Sequence, residues 1–234
     1  MNIAENILKH SLKNVYFLTG TACGGKTTMA REISAKYGFL HFNDNWHEDH
    51  YKIWTSLCDP QYQKNAFRRK NIKDWEAYFG RSVEEFLLDR EGYDEGAEYL
   101  QFILIELIKA AQNRKVIADI WLSTDLLVEI ADYDRIACLL APPDLVIRDY
   151  YDREDHKEFI ECIMSLKDPQ KKLEVQNELF RIGGKKIYDD AEKYKLFTIE
   201  RNADSTIGKT LELLEAHFKL KPGAAGANQE PPNR

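Results

Sequence analysis

The sequence predicts an α/β protein with three layers, α/β/α, built on a mostly parallel sheet of five strands. Three observations lead there. Short apolar runs, each of strand length, alternate along the chain with helical patterns. The repeated strand-then-helix order calls for parallel strands with helices on both faces. The 234 residues are 44% hydrophobic and 31% charged, the balance of an ordinary globular chain long enough to build a core without disulfide or metal staples.

The elements follow in order. NVYFLTG, near 14–20, is a buried strand ending in glycine, and from Lys26 a helix carries Ala30, Ile33 and Tyr37 on one side until Gly38 stops it. FLHFN, 39–43, is the second strand. A long, charged, mostly helical segment runs from His47 to Asn113, with loops expected near Asp59-Pro60 and Gly92. The third strand is KVIADIW, 115–121, followed by a helix capped by Ser123 or Thr124 and carrying Leu126, Leu127 and Ile130. RIACLLA, 135–141, is the fourth strand, closed by Pro142 and Pro143. From Asp144 to Tyr194 the chain is again charged and helical, with a break expected at Gly183-Gly184. LFTIE, 196–200, is the fifth strand, and a last helix starts near Asp204 or Ser205 with Ile207, Leu211, Leu214 and Phe218 along one face. The whole reads as one domain over 1–221, and the tail 222–234, with little to bury, as disordered.

Composition narrows the classes of function. The net charge is −6, and no basic block of any size appears, which argues against a protein that coats nucleic acid. Mean hydropathy is −0.52 and no apolar run reaches membrane-spanning length, so no membrane partner is expected. The first residues lack a basic stretch followed by an apolar one, which disfavours a secretory signal. Four scattered cysteines, Cys23, Cys58, Cys138 and Cys162, fit free thiols in a reducing cytoplasm.

The chemistry concentrates in GTACGGKT, Gly20 to Thr27, which fits G-x-x-x-x-G-K-[ST]. Glycines let backbone N–H groups converge on phosphate oxygens, and a following helix adds the partial positive charge of its N-terminus. Chance delivers this pattern in roughly one of a hundred chains of this length. Here it leaves an apolar strand and enters a helix, as the mechanism requires. Gly20, Thr21, Ala22, Cys23, Gly24, Gly25, Lys26, Thr27 and Thr28 are therefore the candidate phosphate contacts, with Lys26 reaching the β- and γ-phosphates of ATP and Thr27 holding Mg²⁺. Asp119 lies at the end of the third strand, at the same sheet edge, and is a second candidate for Mg²⁺, acting through water; otherwise it is an acidic residue at a strand end.

Asp44, just past the second strand, is a candidate base for an acceptor hydroxyl or a helix N-cap, and can serve as both. Arg148 and Arg153 flank DYYD after the fourth strand. They either swing over a triphosphate or pair on the surface with Asp149, Asp152 or Glu154, with Arg181 as a third arginine of the same kind.

With these residues in view the chain resembles the small P-loop kinases related to nucleotide, shikimate and gluconate kinases, over about residues 14 to 220. GTACGGKT looks like their phosphate loop, VIAD like their Walker-B-type strand, HFNDNW like their acidic acceptor segment and RDYYDR like their arginine-bearing lid. The resemblance implies a P-loop NTPase fold with an acceptor-side helical insertion at 46–113 and a lid at 144–160. It implies transfer of the γ-phosphoryl group of ATP-Mg to a small-molecule acceptor. It also implies Arg201 and Asn202 near the base, and Trp46, Trp54, Trp75 and Arg81 around the acceptor. The insertion carries no shikimate, gluconate or nucleoside signature, and the acceptor, the donor base and the oligomeric state stay open. Two other classes compete: a nucleotide-dependent switch or ATPase with a protein partner, and a toxin-like or nucleic-acid-end kinase.

Overall fold

The computed structural model describes residues 5–43, 72–91 and 97–221. Among these, five strands form one sheet: β1 (Val15–Gly20), β2 (Leu40–Asn43), β3 (Val116–Asp119), β4 (Ile136–Leu140) and β5 (Phe197–Glu200). Their order is β2-β3-β1-β4-β5, and every pairing is parallel. The helices are α1 (Glu5–Ser11), α2 (Lys26–Tyr37), α3 (Trp75–Phe79), α4 (Val83–Glu91), α5 (Ala97–Ala111), α6 (Thr124–Ile130), α7 (Pro143–Tyr150), α8 (Lys157–Met164), α9 (Pro169–Lys193) and α10 (Ile207–His217). No helix among the described residues is long and apolar enough to cross a membrane.

The two-residue period of a strand sorts the core into two halves. Val15 and Phe17 of β1 point into a core shared with Ile103 and Leu107 of α5 and Leu127 and Ile130 of α6. Tyr16 and Leu18 point the other way, into Met29, Ala30 and Ile33 of α2 and Leu214 of α10. Both halves are buried, which is why β1, β3 and β4 read as unbroken apolar runs. The chain leaves β1 through α2 toward one edge of the sheet and leaves β3 through α6 toward the other. Crossovers of one hand that travel in opposite directions land on opposite faces and leave a crevice at the carboxyl ends of the strands where they diverge.

Local chemistry ends most elements where expected. Gly38, at φ 68, closes α2 with its N–H donated to the Ser34 carbonyl. Ser123, rather than Thr124, caps α6 by accepting from the Leu126 N–H. Other boundaries differ. β3 stops at Asp119, where its register with Asn43 of β2 ends, two residues before the predicted Trp121. α10 begins at Ile207 with Thr206 as its cap, because Asp204 and Ser205 are taken up in a turn on the Asn202 side chain. The expected break at Gly183-Gly184 is absent: α9 runs through both. Two glycines cost a helix about 1 kcal/mol each, less than the helix recovers by burying Leu179 on one side of the pair and Ala191 on the other. α1 precedes the first predicted element, and its Leu8 packs on the core.

The helices outside the sheet are tied to one another. Phe79 of α3 meets Phe159 of α8 edge to face at 5.6 Å. The nearly buried Lys172 of α9 reaches the Glu76 carboxylate of α3 at 2.6 Å, and that carboxylate also accepts the Lys167 N–H at 3.1 Å.

Candidate functional site

The segment between β1 and α2 is pressed against the backbone of β4. A methyl group at Gly20 would lie 1.9 Å from the Leu139 carbonyl oxygen, and one at Gly24 2.3 Å from the same atom. Only residues without Cβ permit this approach. The fully buried Thr21 fixes it: its N–H donates to the Leu139 carbonyl at 3.1 Å, and its hydroxyl accepts from the Ala141 N–H at 2.7 Å. Past this anchor the chain turns through the left-handed region at Cys23 (φ 56) and Gly25 (φ 95). Successive turns of this kind gather N–H groups into a concave, anion-accepting surface. Gly25 is the N-cap of α2, has no side chain with which to cap it, and the first turn of α2 holds no acidic residue. The helix thus presents its first N–H groups and its positive end to the same space.

Charged groups surround that space. The Lys26 ammonium lies back across the loop, donating to the Thr21 carbonyl at 2.7 Å and the Gly20 carbonyl at 3.3 Å. Arg201, just past β5, is drawn to the sheet edge by its own N–H, which donates to the Leu140 carbonyl at 2.8 Å. Its Nη1 donates to the Cys23 carbonyl at 3.0 Å and its Nη2 pairs with Asp149 Oδ2 at 3.3 Å. Asp149 also accepts from Arg148 Nε at 2.6 Å, and these partners, Arg148 first, hold its carboxyl below the usual carboxylate range. Burial pushes the Cys23 thiol up, against the opposing pull of Arg153, Arg201 and Lys26. The thiol therefore sits where three cations converge and is still protonated at neutral pH. Cys138, inside β4, is pushed up to about 12 by burial.

Asp119 ends β3 at the same carboxyl edge and is 4% exposed. It lies on the α2 side of the sheet with Ile117, one strand pair from Asn43 and 3.9 Å from His41 Nε2. Thr27, in the first turn of α2, is half-buried on the helix that covers this face. A hydroxyl and a carboxylate are a sufficient protein contribution for Mg²⁺, which keeps several waters and takes phosphate oxygens as further ligands. No cluster of three or more His, Cys, Asp or Glu suited to a metal is present among the described residues.

The structure thus brings Gly20 to Thr27, Arg201, Arg153 and Asp119 to one edge of the sheet. Ala22 is half-buried in the loop and Thr28 is exposed on α2. Arg148 is exposed and paired with Asp149, one of the surface partners its sequence context offered. Arg181 is exposed on α9 and paired with Glu178 at 3.1 Å. Asn202 accepts from the Asp204 N–H and the Ser205 hydroxyl, shaping the turn before α10. Asp44, Trp46 and Trp54 lie outside the described residues.

Trp75 and Arg81 belong to an aromatic cluster of the insertion. Trp75 stacks on Phe79 at 5.7 Å, and the Arg81 guanidinium lies over Tyr78 and Phe86 at 4.3 and 4.0 Å. One residue near the loop escaped the sequence reading of the site. Asp149 appeared there only as a neighbour of Arg148. Trp121, two positions past Asp119, is 68% exposed, and nothing in DIWLS signals that a tryptophan there faces outward. Comparison of the chain with protein-family models and with curated protein sequences gives no match.

Proposed function

We propose that the protein is an ATP-dependent phosphotransferase acting on a hydroxyl or phosphate of a small molecule. One observation carries the reading: a G-x-x-x-x-G-K-T segment, bent through left-handed Cys23 and Gly25, meets the start of α2 at the diverging carboxyl ends of a parallel sheet. The loop N–H groups and Lys26 would hold the triphosphate, with Lys26 turning from the Gly20 and Thr21 carbonyls onto phosphate oxygens. Thr27 and Asp119 would hold Mg²⁺, which would supply positive charge against that of the phosphates. Arg153 would offset the negative charge that develops during transfer. Asp44, the residue after β2, is the proposed base for the acceptor.

The test is ATP consumption against a panel of nucleosides, nucleotides, sugars, polyols and hydroxylated antibiotics, with Lys26→Ala alongside. The expected result is an acceptor-dependent rate well above basal hydrolysis, abolished in the variant. Turnover unchanged by Lys26→Ala would overturn the mechanism. Tight ATP binding with no acceleration by any acceptor, together with capture of a protein partner, would favour a nucleotide-dependent switch.

A further inference from the structure

Asp149 has no part in the chemistry proposed above, and its charge has the wrong sign. A carboxylate beside a site for a polyanion opposes binding on Coulomb grounds alone. Its contacts nevertheless lead straight to the loop. One guanidinium, that of Arg201, uses Nη2 on Asp149 Oδ2 at 3.3 Å and Nη1 on the Cys23 carbonyl at 3.0 Å. The planar fork of arginine is rigid, so fixing one nitrogen fixes the direction of the other. What it grips is the one non-glycine residue of the loop in the left-handed region, Cys23 at φ 56, a conformation that persists only where the surroundings hold it. The second carboxylate oxygen, accepting from Arg148 Nε at 2.6 Å, steadies Asp149 at the end of α7.

We propose that Asp149 is a positioning residue for the nucleotide site: acting through Arg201, it holds the Cys23 peptide, and with it the glycine-rich loop, in the anion-binding shape before the nucleotide arrives. The proposal rests on the nucleotide-binding reading of the loop. It predicts an effect opposite in sign to that of simple electrostatics. Removing the charge with Asp149→Asn would tighten ATP binding if Asp149 were only a nearby anion, and weakens it if Asp149 is a brace. Asp149→Glu keeps the charge but displaces the carboxylate by one methylene. Electrostatics alone then leaves binding unchanged, while the brace predicts a partial loss.

The experiment combines two readouts on the full chain: calorimetric titration with ATP-Mg²⁺, and the alkylation rate of Cys23 in the nucleotide-free protein, followed by mass spectrometry of the loop peptide. Expected for Asp149→Asn is a loss of affinity of roughly tenfold or more, the worth of one charge-assisted hydrogen bond, and faster alkylation of Cys23. KM for ATP should rise with little change in kcat. Asp149→Glu should lie between, and Asp149→Asn should add nothing to Arg201→Gln, since both cut the same link. Unchanged or tighter ATP binding with unchanged alkylation, in the Asn and Glu variants alike, overturns the proposal. If the wild-type protein binds no ATP, the nucleotide reading falls instead, and the alkylation rates alone decide whether Asp149 holds the loop. Should the Asn variant not fold, the Glu variant carries the same comparison.

Discussion

The approach of the glycine-rich loop to β4 is the feature on which the site most depends, and Gly24→Ala isolates it. Gly24 does not need a left-handed φ, so a new side chain there meets only a steric barrier. Its methyl would lie 2.3 Å from the Leu139 carbonyl oxygen and 2.8 Å from the carbonyl carbon, against 3.4 Å for ordinary contact. Loop and strand would have to part by about 1 Å, and both partners are backbone inside a close-packed sheet. That places the cost at the upper end of overpacking, about 3 kcal/mol, or roughly 6–12 °C in Tm for a chain of this size. The loop amides move by the same amount, and a displacement of about 1 Å in a binding constellation costs on the order of a hundredfold. Gly38→Ala is the control: φ is 68 and nothing lies within 4 Å of the added carbon. It should cost about 1 kcal/mol of backbone strain and leave nucleotide affinity untouched. Calorimetric Tm and ATP titration of the two variants decide the matter. A Gly24→Ala protein no less stable than Gly38→Ala would refute the packing argument. One that is destabilised but binds ATP normally would show that the loop is not the nucleotide site.

Three further predictions concern the thiols and the pinned helices. Cys138 ionises near 12 in the folded protein and near 9 when unfolded. The folded state therefore holds its proton longer, so the stability tied to this thiol is fully present below about pH 9 and is lost at about 1.4 kcal/mol per pH unit up to about 12. Urea titrations of wild type and Cys138→Ala across that range should converge as pH rises, and parallel curves would contradict the assignment. Burial raises the Cys23 thiol, so its alkylation should keep accelerating beyond the ordinary thiol range instead of levelling there, and ATP should slow it. Levelling at or below the ordinary range would show a thiolate stabilised by the surrounding cations. Lys172→Ala strips the Glu76 carboxylate and the Lys167 carbonyl of a nearly buried ammonium. It should cost about 2 kcal/mol, read by urea denaturation, with Glu76→Gln costing at least as much because it leaves the nearly buried ammonium without its counter-charge.

What could be read in the chain beforehand was what is local. Strands buried on both faces announce themselves as apolar runs, and the loop by its spacing. Asp119 is placed by lying near the carboxyl end of such a run, since parallel strands share one carboxyl edge. The Gly183-Gly184 pair misled because propensity is local too. It registers the weak spot in α9 but not the burial of Leu179 and Ala191 that spans it. The brace on the loop was invisible for the same reason: Arg201 meets the Cys23 carbonyl across 178 positions, and Asp149 looks like any acid beside an arginine. The tryptophans are placed around the acceptor by the family resemblance alone. Trp75 meets Tyr78 and Phe79, its own helix neighbours, in a cluster that also joins α3 to α8 through Phe159.

The acidic balance of the chain and the cationic loop bear on ligands of different size. A net charge of −6 governs what a long polyanion meets as it lies along the surface, because each phosphate samples a new patch and the unfavourable terms accumulate. A triphosphate is short, and at physiological salt charges more than about 8 Å away are largely screened. Among the described residues, the charges that bear most on Cys23 are Arg153, Asp149, Arg201 and Lys26, three positive against one negative. On the proposed reading, the charge beside the loop bears more on a short polyanion than the net charge of the whole chain does. That local excess also explains why an acid is tolerated there. Asp149 lowers the net potential but fixes the direction of a guanidinium, and hydrogen bonds from oriented donors are worth more to a multiply charged ligand than one additional unoriented charge.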